Sequence, residues 1–283
     1  MRAIFGAVLI VAMLVPGMAA AEPVTLAGAE QRAMRSKAGL DYRVFVARPE
    51  GEPPAKGFPV IYMLDGNASF AMAWSVMRMQ WNRPGGDGPT PAVIVAIGYP
   101  TDGPYDMARR ALDYTPAMAT PPAGAPTGGA DAFLAFIEDE LKPAIAAAHP
   151  IDATRQALFG HSYGGLFTLH VLFTRPQAFQ RYFAISPSIW WGGGAIKAEE
   201  AKAAATDAPV TILVGEYEQK PRPTDTGPDR AARMAQTRMV DNARDMADRL
   251  KARGMNLDFD LLADEDHGSI MAVAVAKALR SGF

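Results

Sequence analysis

Short apolar runs and longer helix-period segments alternate along this chain. Residues 42–47 alternate polar and apolar positions, as a strand with one wet face does. Residues 60–64 and 92–97 are nearly continuous apolar runs rich in β-branched side chains, the pattern of parallel strands covered on both faces. Residues 157–159, 182–185, 210–214 and 257–262 add four more candidate strands. Between them lie helical patterns. In 131–148, Phe133, Ile137, Leu141 and Ile145 recur every fourth position, with Pro143 set to kink or restart the helix. Residues 229–253 place Met239, Val240, Ala243, Met246, Ala247 and Leu250 on one face, and Gly254 follows as a stop. Residues 166–173 and 269–279 complete the helices. Strands alternating with helices predict an α/β fold, a mostly parallel sheet with helices on both faces. No repeat period is present, and the Pro/Gly-rich stretches 84–91, 116–129 and 220–228 read as surface loops of a single domain over 22–283.

The amino terminus departs from this pattern. Met1-Arg2 is followed by a 13-residue apolar run to Val15, then Pro16-Gly17 and small residues at Ala19 and Ala21. A positive start, a short apolar core and small residues before a cut are the parts of a secretory signal peptide. Residues 1–21 are therefore expected to be removed after Ala21, leaving 262 residues with a formal charge of −3. A protein so exported would be periplasmic or secreted, with no stable membrane insertion after cleavage. The chain has no cysteine, which excludes a thiol nucleophile, thiolate metal ligands and dithiol redox chemistry. With 28 basic against 30 acidic side chains, it has no basic field for nucleic acid.

The chemistry concentrates at Gly160-His161-Ser162-Tyr163-Gly164-Gly165. A short apolar run precedes this segment and a helical pattern follows it. Such a tight strand-to-helix turn strains the serine backbone, demands glycine at the flanking positions, and holds the hydroxyl above the sheet at a helix N-terminus. Ser162 is thus the expected nucleophile. A hydroxyl needs a base, and of the four histidines His267 lies on a loop after the last strand. His149 reads as solvent-facing at a helix end, His161 as the variable residue of the turn, and His170 as a satisfied core histidine. The acid that orients His267 should lie on the loop after residues 210–214. Glu216 and Glu218 both qualify, and alternation past a strand end does not separate them. The amide of Tyr163 is one expected oxyanion donor, and Asp65-Gly66-Asn67, directly after residues 60–64, is the loop for a second. Asp264-Glu265-Asp266-His267 is too poor in histidine to suggest a metal site, and no metal or organic cofactor is expected.

Tyr62-Met63-Leu64-Asp65-Gly66-Asn67, 160–165, Ser186-Pro187-Ser188-Ile189-Trp190-Trp191 and Gly215-Glu216-Tyr217-Glu218 occur in this order, ending with His267. Together they resemble the "putative esterase" family of α/β-hydrolases, and most of all its siderophore-esterase branch, the ferric enterobactin esterases. The match spans roughly residues 40–280. The resemblance implies an α/β-hydrolase fold with Ser162 as nucleophile, His267 as base, and the Asn67 and Tyr163 amides as oxyanion donors. It favours Glu218 over Glu216, although some members work as a Ser–His dyad. It also implies that Arg110, ahead of Asp113-Tyr114-Thr115-Pro116, faces an anionic substrate, whereas the local reading is a pair with Asp113. A ferric tris-catecholate would suit aromatic walls from Trp74, Trp81, Trp190 and Trp191 and a basic patch from Arg78, Arg83, Arg109 and Arg110. The expected partner is a small-molecule ester, for which the resemblance implies a ferric siderophore. The competing readings are a general acyl, acetyl-sugar or feruloyl esterase and a non-catalytic siderophore-binding protein; the oligomeric state is open.

Overall fold

The computed structural model describes residues 21–81, 88–121, 123–124, 126–224 and 228–281. The apolar run of the expected signal peptide and Arg83 lie outside the described residues.

In chain order the elements are β1 (Ala29–Arg35), β2 (Asp41–Ala47), β3 (Phe58–Leu64), α1 (Gly66–Trp81), β4 (Val93–Gly98), α2 (Met107–Asp113), α3 (Ala130–Phe136) and, across a π-helical turn, α4 (Lys142–Ala148). There follow β5 (Ile151–His161), α5 (Tyr163–Thr174), β6 (Arg181–Ile185), α6 (Trp191–Gly194), α7 (Ile196–Glu200), β7 (Val210–Gly215), α8 (Pro228–Thr237), α9 (Met239–Ala252), β8 (Leu257–Leu262) and α10 (Ile270–Arg280). The strands form one sheet in the order β1-β2-β4-β3-β5-β6-β7-β8. β1, β2 and β4 pair antiparallel, and every later pairing is parallel.

Alternation along the central strands divides the core in two. Val60, Tyr62 and Leu64 of β3 point into a cluster with α3, α5 and α9. Ile61 and Met63 point into the other, under α1 and α10. A sheet wet on neither face explains why these strands read as unbroken apolar runs. Among the described residues no helix is long and apolar enough to cross a membrane.

Three elements differ from their sequence expectation, and a fourth, the helix restarting at Pro143, is as expected. β1 has no apolar run, because it is an edge strand that pairs along all seven residues with β2 while most of its side chains stay exposed. α1 starts at once after β3, so Gly66 and Asn67 are its first turn and not a free-standing loop. Pro143 sits in the first turn of α4, where its missing N–H costs nothing, and the adjustment is the π-helical turn Ile137–Leu141 just before it. The predicted helix over 229–253 breaks at Arg238, whose φ of 44° is left-handed, separating α8 from α9.

Candidate active site

Ser162 is the single residue between β5 and α5, with φ 59° and ψ −117°. This is strained backbone for a residue with a side chain, and the neighbouring glycines enforce it. A Cβ on Gly160 would fall 2.1 Å from the Gly164 carbonyl oxygen, and one on Gly165 would fall 2.7 Å from that of Ile185. Gly164 is less constrained than the motif implies, since its Cβ would meet the Leu64 side chain at 3.3 Å and Asp65 Oδ2 at 3.8 Å.

The Ser162 hydroxyl lies 3.0 Å from His267 Nε2, and His267 Nδ1 lies 2.6 Å from Glu218 Oε2. Glu218 is buried; its other oxygen accepts hydrogen bonds from the Ser186 hydroxyl at 2.5 Å and the Gly215 amide at 2.7 Å. With both oxygens committed, the carboxylate has one orientation. Glu216 instead faces outward and binds Lys220 Nζ at 2.7 Å, which with the Asp264 amide holds its carboxyl below the usual range. The two loops that carry Glu218 and His267 are tied together: the Tyr217 amide donates to the Glu265 carbonyl at 2.9 Å. Asp266 in turn accepts from the Gly268 and Ser269 amides, both at 2.9 Å, closing the turn that carries His267.

Ser186 and Ser188 entered the sequence reading only as part of a motif, without roles. Ser186 anchors Glu218, and Ser188 Oγ lies 3.4 Å from Ser162 Oγ. Their spacing of two around Pro187 aims one hydroxyl at Glu218 and the other at Ser162. His161, the variable residue of the turn, has its ring centroid 4.6 Å from that of His267. Burial, and then the charges of His267 and Arg110, push its pKa down to about 3, so it is neutral packing beneath the base and adds no competing charge.

The N-termini of α1 and α5 lie side by side because β3 and β5 are adjacent parallel strands in register at Met63 and Phe159. The first amides of any helix have no intrahelical acceptor, so the Asn67 and Tyr163 N–H groups are both available at this edge. The Asn67 side chain is used otherwise. It accepts from the Tyr99 amide at 2.8 Å and donates to the Tyr99 and Thr101 carbonyls, at 3.1 and 2.9 Å, pinning α1 to the loop after β4. A Cβ on Gly66 would meet the Ala96 carbonyl at 2.9 Å, so glycine allows that approach.

A cavity of about 500 Å³ opens at the serine, lined by Ser162, His267, Trp190 and Tyr217 and by Arg233, Met234 and Thr237 of α8. That volume is ordinary for a small-molecule site. Trp190 is 37% exposed and its ring centre lies 6.3 Å from that of Tyr163. Trp191, expected beside it as a second wall, is a core residue at 5% exposure. It starts α6, and the left-handed Gly192 and Gly193 behind it turn the chain inward. Trp74 is likewise core, its indole N–H donating to the Ala27 carbonyl at 2.8 Å.

Arg110 pairs neither with Asp113 nor with a free cavity wall. It is 5% exposed and forms a two-pronged pair with Asp65, Nε to Oδ1 at 2.6 Å and Nη2 to Oδ2 at 3.0 Å. Arg109 takes Asp113 instead, at 3.3 Å. Asp65 opens the oxyanion-side turn with φ 55°, so the Arg110 pair fixes the start of α1. His149 is half-buried against Glu30 at 3.3 Å and does not face solvent. His170 is buried, with Nδ1 2.8 Å from Glu199 Oε2, while Nε2, 3.2 Å from Asp131 Oδ1, makes no hydrogen bond, so the expected satisfied core histidine is satisfied at one ring nitrogen.

An eight-stranded sheet in this order, with a serine on the strained turn between its central strand and the following helix, is the α/β-hydrolase fold. A family model described as "Putative esterase" matches residues 36–260. The chain belongs to that esterase family and is a carboxylic ester hydrolase. It is 39% identical over 276 residues to the ferri-bacillibactin esterase BesA of Bacillus subtilis (strain 168), covering 90% of each chain. It is 40% identical over 286 residues to a siderophore triacetylfusarinine C esterase of Aspergillus fumigatus, covering 92% of this chain and 95% of that one. The crystal structure of the BES protein from Bacillus cereus superposes with a TM-score of 0.82 at 34% identity, covering 93% of this chain and 98% of that one.

Proposed function

We propose that this chain is an exported serine esterase that opens the ester bonds of a ferric catecholate trilactone through an acyl-enzyme on Ser162. The observation that carries the reading is the unbroken chain from Ser162 Oγ through His267 to Glu218 Oε2, at 3.0 and 2.6 Å, inside an aromatic-walled cavity. His267 Nε2 takes the Ser162 proton as the oxygen bonds to the ester carbonyl carbon, and the Tyr163 and Asn67 amides receive the oxyanion. Glu218 holds Nδ1–H and steadies the imidazolium. The tetrahedral species collapses by breaking the carbon–alkoxide bond, with the alkoxide taking the proton from Nε2. Water then repeats the sequence on the acyl-enzyme, releasing the acid and restoring Ser162. Iron, where present, belongs to the substrate.

Trp190 and Tyr217 at the cavity support a bulky aromatic substrate. The named relatives act on ferri-bacillibactin and triacetylfusarinine C, which supports a siderophore ester, and the leader-like residues 1–21 support export. The test is to incubate ferric enterobactin with residues 22–283 and follow products by chromatography with mass detection. Linear trimer, dimer and monomer are expected with the unmutated protein and not with Ser162→Ala. An intact trilactone at saturating enzyme would remove this substrate and leave simple acyl or feruloyl esters to be tried.

A further inference from the structure

We infer that Arg233 on α8 is the residue by which this site selects anionic esters over neutral ones; the inference rests on the esterase reading of the cavity. Of the basic residues that the sequence offered for this task, Arg109 and Arg110 do not serve it, Arg78 does not line the cavity that holds Ser162, and Arg83 lies outside the described residues. Arg109 and Arg110 are neutralised by Asp113 and Asp65, and the net charge of −2 draws no anion from a distance. Charge selection must therefore come from the cavity itself.

Arg233 is exposed and lines the cavity that holds Ser162 and His267. Among the described residues it has no ion pair and no hydrogen-bonded partner, although Asp229 stands four positions earlier on the same helix, the usual spacing for a pair. The other charges on the cavity are committed. Glu218 binds His267 at 2.6 Å, and Asp266 pairs with Arg222 at 3.1 Å while accepting from two amides. Met234, 8% exposed, roots the helix, and Thr237, one turn on, lines the same cavity as Arg233. A guanidinium offers a planar fork of donors suited to carboxylate or catecholate oxygens. Iron-loading turns a neutral tris-catechol trilactone into a trianion, so an unpaired arginine over the serine favours the loaded form.

The test compares wild type with Arg233→Ala, Arg233→Glu and Arg233→Lys on ferric and iron-free enterobactin. The same four proteins are assayed on a chromogenic pair, neutral 4-nitrophenyl butyrate and anionic mono-4-nitrophenyl succinate. Arg233→Ala should raise KM for the anionic members about three- to tenfold with kcat nearly unchanged, the mark of binding equal in ground and transition states. It should leave the neutral members unaffected. Arg233→Glu should go further, Arg233→Lys should keep most of the preference, and about 0.5 M salt should erode the preference of wild type and Arg233→Lys while changing Arg233→Ala little. Equal effects on neutral and anionic esters, or none on either, overturn the inference. A wild type that cuts the chromogenic pair but neither trilactone refutes the siderophore reading, and the pair still decides the role of Arg233.

Discussion

Replacing Ser162 by alanine should lower kcat on every ester the protein cleaves by roughly a millionfold, the loss seen when a triad nucleophile is removed. The residue left behind keeps the strained backbone, the Tyr163 and Asn67 amides and the cavity, so KM should change little. Stability should change little as well. The Ser162 hydroxyl touches only His267 and Ser188, at 3.0 and 3.4 Å, and alanine meets the same strain at φ 59° that serine does. The measurement is steady-state kinetics beside a thermal melt. A variant that melts like wild type and retains most of its rate would contradict the acyl-enzyme reading; a residual rate of about 10³ over water is expected from the oxyanion site alone.

His267→Ala should cost nearly as much, because without Nε2 no group in reach takes the proton. Its effect should not add to that of Ser162→Ala, since the two act as one unit. Glu218 should rank below both. Its Oε2 contact to Nδ1, at 2.6 Å, fixes the tautomer and ring orientation, and losing such an acid costs about 10⁴-fold in related triads. Glu218→Gln keeps the shape and can keep the Ser186 hydroxyl and Gly215 amide contacts, so it reads the acid's charge with little effect on the loop. A rate unchanged in Glu218→Gln would make the site a Ser–His dyad, and a loss equal to that of His267→Ala would show that loop geometry failed along with the charge.

The strands were legible wherever both faces are covered, because burial on two sides leaves only apolar residues. β1 was not, since an edge strand is held by backbone pairing to β2 and its side chains face water. α1 escaped notice for the opposite reason. Its run from Ser69 to Trp81 is apolar nearly all round, and Asp65-Gly66-Asn67 reads locally as a turn. The nucleophile and base stand on motifs that strain and loop position make recognisable. The acid was ambiguous because period-two alternation ends with β7 and the next three residues form one tight turn. What decides Arg110 is Asp65, 45 residues away in sequence, and what decides Trp190 against Trp191 is a left-handed glycine pair. Arg233 was invisible for a related reason: a helix break at Arg238 brings α8 over the site, and no periodicity announces it.

The most direct test of the account is labelling with diisopropyl fluorophosphate, a reagent that marks only an activated serine, followed by peptide mass mapping. One adduct per chain is expected, on the peptide that contains Ser162, with labelling slowed by orders of magnitude in His267→Ala. An adduct on any other residue, or equal labelling without His267, would contradict the Ser162–His267 mechanism.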